Sequence, residues 1–455
     1  MTTPADNVLD FMDESFFLDF RAQGHGPMIQ FVWIYRHDPD LDALRRFQHN
    51  LGRGLLGRCI EHSPLPFGRS RWVAWTPPAD LDVAERPRPQ DELTSWTDEE
   101  AARPLSVENG PPWRLAIQPL AGGGAAVSLL VAHAVADGVG MSNSVADAVN
   151  GVTRDLGLPP PHSRTRGRAL AEDVRQLIRD LPKAARALVL SPLAAKEVPM
   201  RVRAGLEKRA RRADRPAALP AANAGRARRL PSLTMLIDIP QWDECAASLG
   251  GTSNSLLLGF TSRLCYLLGW LDTDGLANLA MPVNERTPGD NRANALASVT
   301  LTLDPAVASD LGGIRAAVKS ALSGLERARG RIMAPLALVP FVPKFAANRV
   351  QTVVQRSASI TCSHFGDLDP AVNRPDGTDA EVFYVRHART PEMAEPEMLR
   401  RAGGLFFPVA SGRLGGRIHI SICHSDAEGS TTVGELTAVA QRALDDFGLT
   451  ASIIS

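Results

Sequence analysis

The chain has 455 residues, and its 50 Lys+Arg balance 50 Asp+Glu, so the formal net charge is zero. Neutrality excludes a protein whose whole surface binds nucleic acid, and 44% apolar with 22% charged residues excludes global disorder. Such a length suggests two or three domains with ample core, so neither a disulfide nor a metal staple is required.

The first 160 residues read as mixed α and β. IQFVWIYR (Ile29–Arg36) is apolar and rich in β-branched and aromatic residues, as a buried strand should be. Leu41, Leu44, Phe47, Leu51 and Leu55 then recur at helical spacing. RWVAW (Arg71–Trp75) reads as a short strand, and AGGGAA (Ala121–Ala126) as a hairpin turn, because it precedes a strand instead of following one as a phosphate loop does. AAVSLLVAHAV (Ala125–Val135) is the most continuous apolar strand and is expected to be central. Between His162 and Pro231 the balance breaks, with 18 Lys+Arg against six Asp+Glu. Leu170, Val174, Leu177, Ile178 and Leu181 make one helical stripe there, and EKRARRADRP (Glu207–Pro216) has almost no apolar face, so a helical crossover ending in a solvated basic linker is expected.

A second mixed half follows. TMLIDI predicts a strand, and SNSLLLGFTSRLCYLLGWL (Ser253–Leu271) a helix apolar nearly all round, hence buried. LANLAMPV, ASVTLTLD, SASITCS, AEVFYVR and RIHISIC predict further strands, and TTVGELTAVAQRALDDF a closing amphipathic helix. The expected division is an N-terminal lobe over 1–160, a basic crossover over 161–232 and a C-terminal lobe over 233–455. The five cysteines (Cys59, Cys245, Cys265, Cys362, Cys423) are scattered without a CxxC pair, which argues against a disulfide framework or zinc knuckle. His419 and His424 lack convincing metal-ligand spacing, so no metal is expected. Cys362 and Ser363 lack the GxSxG elbow of a serine hydrolase. The acidic opening has neither the basic start nor the apolar core of a signal peptide, and no uncharged apolar run reaches the roughly 18 residues of a membrane span. A cytoplasmic protein is expected.

The stretch VAHAVADGVGMSNSVADAV (Val131–Val149) carries the most chemistry. A strand runs into His133, and Asp137 and Gly138 follow before residues of helix-forming spacing. A histidine leaving a buried strand suits a general base, its ordinary pKa lying close to neutral. A core histidine satisfied by a backbone carbonyl is the alternative that the residues alone leave open.

His133, Asp137 and Gly138 resemble the second His, the Asp and the Gly of the H-H-x-x-x-D-G motif of CoA-dependent acyltransferases. That superfamily includes chloramphenicol acetyltransferase, the plant BAHD enzymes, condensation domains and bacterial wax ester synthase/diacylglycerol acyltransferases. Further segments are similar in the same order. LDFMDESFFLDFRAQGHGPMIQFVWIY resembles the wax-synthase opening, and PPWRLAIQPL carries Pro111, Pro112 and Trp113 where that family often has P-L-W. SNSLLLGF resembles the N-D helix with Asn254 kept and Ser255 in place of Asp. MPVNERTPGDNRANAL resembles the P-V-S-x-R…G-N segment and TCSHFGDL the S-N-x-G segment.

The resemblance implies an α/β fold of two α+β lobes of the chloramphenicol-acetyltransferase type, with a central tunnel between the lobes. It implies an acyltransferase in lipid or natural-product biosynthesis, moving an acyl group from a thioester, acyl-CoA favoured, to a hydroxyl or amine, without metal or redox cofactor. A condensation-type enzyme fed by an acyl carrier protein is the alternative. In these terms His133 is the base, Asp137 a structural residue salt-bridged to Arg286, and Gly138 the point of close backbone approach. Asn254, Asn284 and Ser363 are candidate oxyanion donors, with Asn254 also suited to brace a helix start. Ala132 replaces the first motif His, and with Ser255 it favours a third reading, a catalytically silent binding protein. The basic 162–230 segment could meet an anionic membrane surface, a CoA phosphate or an acidic carrier protein.

Overall fold

Two sheets organise the computed structural model, which describes residues 7–196, 231–272, 274–343, 360–388, 390, 405–426 and 431–455. In the first, β1 (Met28–Tyr35) is buried at every position, its apolar run interrupted only by Gln30, whose Nε2 donates to the Thr97 carbonyl and the Ser128 hydroxyl. It pairs antiparallel with β6 (Ala125–Ala132) and, on its other side, with β11 (Val382–Ala388). With β5 (Trp113–Pro119) and β4 (Asp82–Val83) the order is β11-β1-β6-β5-β4. The glycine-rich turn joins β5 to β6; Gly124 has φ of 80°, and a Cβ added there would lie 2.2 Å from the Tyr35 carbonyl oxygen. Helices α1 (Phe11–Gln23), α2 (Leu41–Leu51), α3 (Leu93–Ala102) and α4 (Gly138–Val149) belong to this half.

The second sheet contains β7 (Ser232–Asp238), β8 (Ala277–Asn284), β9 (Leu296–Leu303), β10 (Ile360–Asp367), β12 (Leu405–Leu414), β13 (Arg417–Cys423) and β15 (Ser452–Ile454), in the order β15-β7-β13-β12-β10-β8-β9, with β14 (Ser425–Asp426) paired to β12. Helices α6 (Ile239–Ser248), α7 (Ser253–Leu267), α8 (Leu311–Ile332) and α9 (Val433–Asp446) accompany it. The all-round apolar α7 is the buried one: Leu256, Leu257, Leu258, Phe260 and Leu264 are wholly enclosed.

Two features differ from the sequence expectation. The 233–455 segment does not stay in one lobe, because β11 crosses to close the first sheet. Without it β1, whose Phe31 and Trp33 pack on Phe383, would be an apolar edge strand. Strand β12 was hidden by Pro408, a residue that usually argues against a central strand. Leu405 and Phe406 pair with β14 while Val409 onward pairs with β13, so Pro408 sits where one partner gives way to the next and its missing N–H breaks no ladder bond on that side.

The crossover opens with α5 (Arg166–Lys196). The expected basic linker at 207–216 and the first three residues of SASITCS lie outside the described residues. Among the described residues no helix is long and apolar enough to cross a membrane.

Candidate active site

His133 is the first residue past β6, and its N–H donates to the Pro27 carbonyl at 2.9 Å. Its ring is set by two residues that the sequence did not single out. Phe16 of α1 stacks on the imidazole, with centroids 4.6 Å apart and parallel planes. The Asn294 side-chain oxygen lies 2.8 Å from His133 Nδ1.

Asn294 can be oriented only one way. Its Nδ2 donates to Asp13 Oδ1 at 3.2 Å and to the His133 carbonyl at 3.0 Å, and both of these groups accept. The oxygen therefore faces Nδ1, which must carry the hydrogen, leaving the lone pair on Nε2. Burial holds the His133 pKa below the ordinary histidine value, against opposing pulls from Asp137, its own backbone and Asn294. Near pH 7 the ring is thus neutral, with Nε2 able to accept a proton.

Two carboxylates hold the 293–295 turn that presents Asn294. From one side, buried Asp13 accepts from the Ala293 N–H at 3.1 Å and the Asn294 N–H at 2.8 Å. Burial and the charge of Asp10 push the Asp13 carboxyl up to about 7, while Arg58 and these two backbone N–H groups pull it down. From the other side, Asp137 donates its N–H to the Ala293 carbonyl at 2.9 Å and accepts the Ala295 N–H at 2.8 Å on Oδ2.

Asp137 also caps α4, its Oδ1 accepting from Gly140 N–H at 2.6 Å, and pairs with Arg286 Nη2 at 2.9 Å, both side chains being buried. Arg286 further donates to the carbonyls of Asp290, Arg292 and Ala293. The motif Asp therefore makes no contact with the imidazole; it fastens the loop whose Asn294 does. Arg58, stacked over Trp72 at 4.2 Å and donating to the Val135 carbonyl at 3.1 Å, places a cation among these acids.

Gly138 does bring two chain segments together, and the segment it meets is β10. A Cβ on Gly138 would lie 2.0 Å from Phe365 Cε1. On β10, Cys362 and His364 face α7 through Thr261 and Ser253, so Ser363 between them faces the opposite side, toward the first lobe. The other two candidate donors are elsewhere. Asn284 is exposed, accepts the Arg286 N–H at 3.0 Å and lines a surface cavity of about 270 Å³ with Val139, Asn143 and Arg154. Asn254 is not the helix cap: Thr252 caps α7 and Ser255 completes the capping box, while Asn254 Nδ2 reaches Met281 Sδ at 3.5 Å. Ser255 thus fills a local hydrogen-bonding role, and Ala132 is a buried strand residue whose N–H goes to Pro112.

The two-lobed α/β architecture is one shared with solved condensation domains and with a wax ester synthase. The chain matches the first condensation domain of the calcium-dependent antibiotic synthetase, bound to a substrate analogue, with a TM-score of 0.57 at 14% identity over 98% of this chain and 96% of that one. It matches the wax ester synthase/diacylglycerol acyltransferase from Marinobacter aquaeolei with a TM-score of 0.52 at 13% identity, over 97% of this chain and 98% of that one. A nonribosomal peptide synthetase matches at 0.55 with 18% identity, over 98% of this chain and 44% of the longer protein. No protein-family model matches the chain, and no curated protein matches it in sequence. At such identities the likeness establishes the fold.

Proposed function

We propose that this chain is an acyltransferase that moves an acyl group from a thioester to a hydroxyl or amine, with His133 Nε2 as the general base. The observation carrying this reading is the Asn294 orientation, which puts the hydrogen on Nδ1 and leaves Nε2 basic. In the proposed step Nε2 takes the acceptor's O–H or N–H proton while the acceptor attacks the thioester carbonyl carbon. As the C–S bond breaks, the same proton passes from the imidazolium to the departing thiolate. The oxyanion between these events needs a positioned donor. Ser363 is the candidate, since it faces the first lobe and its hydroxyl makes no hydrogen bond among the described residues. Asp137 and Arg286 act on the loop and not on substrate. The thioester supplies the leaving group, so the reaction calls for no metal or redox cofactor.

The donor is acyl-CoA or an acyl chain on a carrier protein, and the same assay separates them. The purified chain is offered both donor types with alcohols and amines, and free thiol is measured. Release by the parent should fall by a factor of about 10² to 10⁴ in His133→Ala, the usual contribution of a general base. A His133→Ala protein that releases thiol at the parental rate would rule out this mechanism.

A further inference from the structure

Helix α5 packs the wrong way round for a helix facing water. Its docked side presents small and acidic residues: Ala169, Asp173, Asp180, Ala184 and Ala187 are buried. Asp173 is held by Ser63 at 2.6 Å, Arg71 at 3.0 Å and Arg164 at 3.0 Å, and Asp180 pairs with Arg69 at 3.2 Å. With its acids turned inward, the helix turns its large apolar residues outward. Leu170, Val174, Ile178, Leu181 and Leu188 follow one another at helical spacing on a single stripe, with Ile178 60% and Leu188 65% exposed. The stripe runs about 27 Å at 1.5 Å per residue.

A second stripe lies on the other flank of the helix's outward side, roughly 140° round from the first at 3.6 residues per turn. Arg168, Arg175, Arg179, Lys183 and Arg186 are all exposed and repeat at the same spacing, rotated around the helix from the leucines. Arg168 is paired with Glu172 and Lys183 with Asp180, whereas Arg175, Arg179 and Arg186 have no ion pair among the described residues. The exposed Phe67 stacks on Phe341 of the apolar Ala334–Phe341 segment, against which α5 packs.

We propose that this face of α5 rests on an anionic membrane surface, its apolar stripe entering the headgroup boundary and its arginines meeting the lipid anions. A helix that shows solvent both a long apolar stripe and a cationic row has the pattern by which helices lie in a bilayer interface without spanning it. Charge decides against a second copy of this chain as occupant. A two-fold contact through this face would bring two cationic rows together with Glu172 alone as an outward acid, and that acid is already paired.

The test uses the full chain and reads binding alone, so it stands apart from acyl transfer. The protein is co-sedimented with phosphatidylcholine vesicles and with vesicles that also contain phosphatidylserine. Binding is expected on the serine-containing vesicles and should weaken as salt rises. Ile178→Asp with Leu188→Asp should abolish it without changing the melting temperature, and each of Arg175→Ala and Arg179→Ala should weaken it about fivefold. No binding to the anionic vesicles, or equal binding by these variants, overturns the proposal. So does a dimeric chain that the double aspartate variant renders monomeric, because the face would then be a self-interface.

Discussion

Asn294→Ala isolates the group that orients the proposed base. The substitution removes three hydrogen bonds: one to the Asp13 carboxylate, one to the His133 carbonyl and one from His133 Nδ1. At about 1.5–3 kcal/mol for the bond to a charged group and about 1 kcal/mol for each neutral one, stability should fall by roughly 3–5 kcal/mol at most. The tautomer effect is separable from this loss. A bond worth about 1 kcal/mol biases the ring toward Nδ1–H about fivefold, so kcat should fall by up to that factor. KM should hold, since the Asn294 side chain bonds to Asp13 and His133 and acts through the ring it orients. Thiol release gives both constants, and nitrogen-15 NMR of the His133 ring reads the tautomer directly. Asn294→Asp supplies a second arm. It would set two carboxyls about 3.2 Å apart, and one of them must then stay protonated. A carboxyl whose folded-state pKa is raised lends stability at low pH that is lost as pH climbs through that value. The Asp variant should therefore be weaker relative to the parent at neutral pH than in acid. A parental ring that carries its proton on Nε2, or a kcat unmoved by Asn294→Ala, would refute the reasoning.

Arg286→Ala breaks a buried ion pair and should cost about 3–5 kcal/mol, seen as a lower urea midpoint. Activity should fall with it because the loop carrying Asn294 is released, and Arg286→Lys should restore only part of both. Gly138→Ala drives a methyl into Phe365 and should cost about 1–3 kcal/mol by thermal melting, much of it recovered when Phe365→Leu is added. Glu14 is buried against the Ser70 N–H and hydroxyl, and burial pushes its carboxyl from 4.5 up to about 7. Because that folded-state value is raised, its contribution is present below about pH 4.5 and lost as pH rises toward 7. Relative to Glu14→Gln, the parent should lose about 3 kcal/mol across that window in denaturation curves taken at several pH values.

What the sequence showed well was local. The apolar, β-branched and aromatic run of β1, interrupted only by Gln30, reads as a buried strand, and α7, apolar nearly all round, as a buried helix. Asp137 and Arg286 were legible because the motif resemblance ties their positions together, even though 149 residues separate them. Asp13 and Asn294 were not, because their importance lies in a contact spanning 281 residues that no periodicity marks. Helix α5 was legible as a helix, but its outward direction was not. Periodicity locates an apolar stripe without saying which side of the helix is docked, and here the aspartates take the inner side because Arg69, Arg71 and Arg164 await them.

The two departures from the acyltransferase motif can now be weighed by what each residue touches. Ala132 lies in the core at the end of β6, and Ser255 closes the cap of α7; neither makes a hydrogen bond to His133. The residues that do hold the imidazole come from three distant stretches: Asp13 and Phe16 from α1, the histidine itself from the end of β6, and Asn294 from the turn before β9. Asp13 and Asp137 grip that turn from opposite sides, so the Nδ1–H tautomer is selected when α1, the His motif and the second half of the chain come together. On the proposed reading, the two buried carboxylates serve to aim one amide at the base. Burying them is costly unless they are fully hydrogen-bonded, and here their bonds converge on the turn that fixes the lone pair of His133 Nε2.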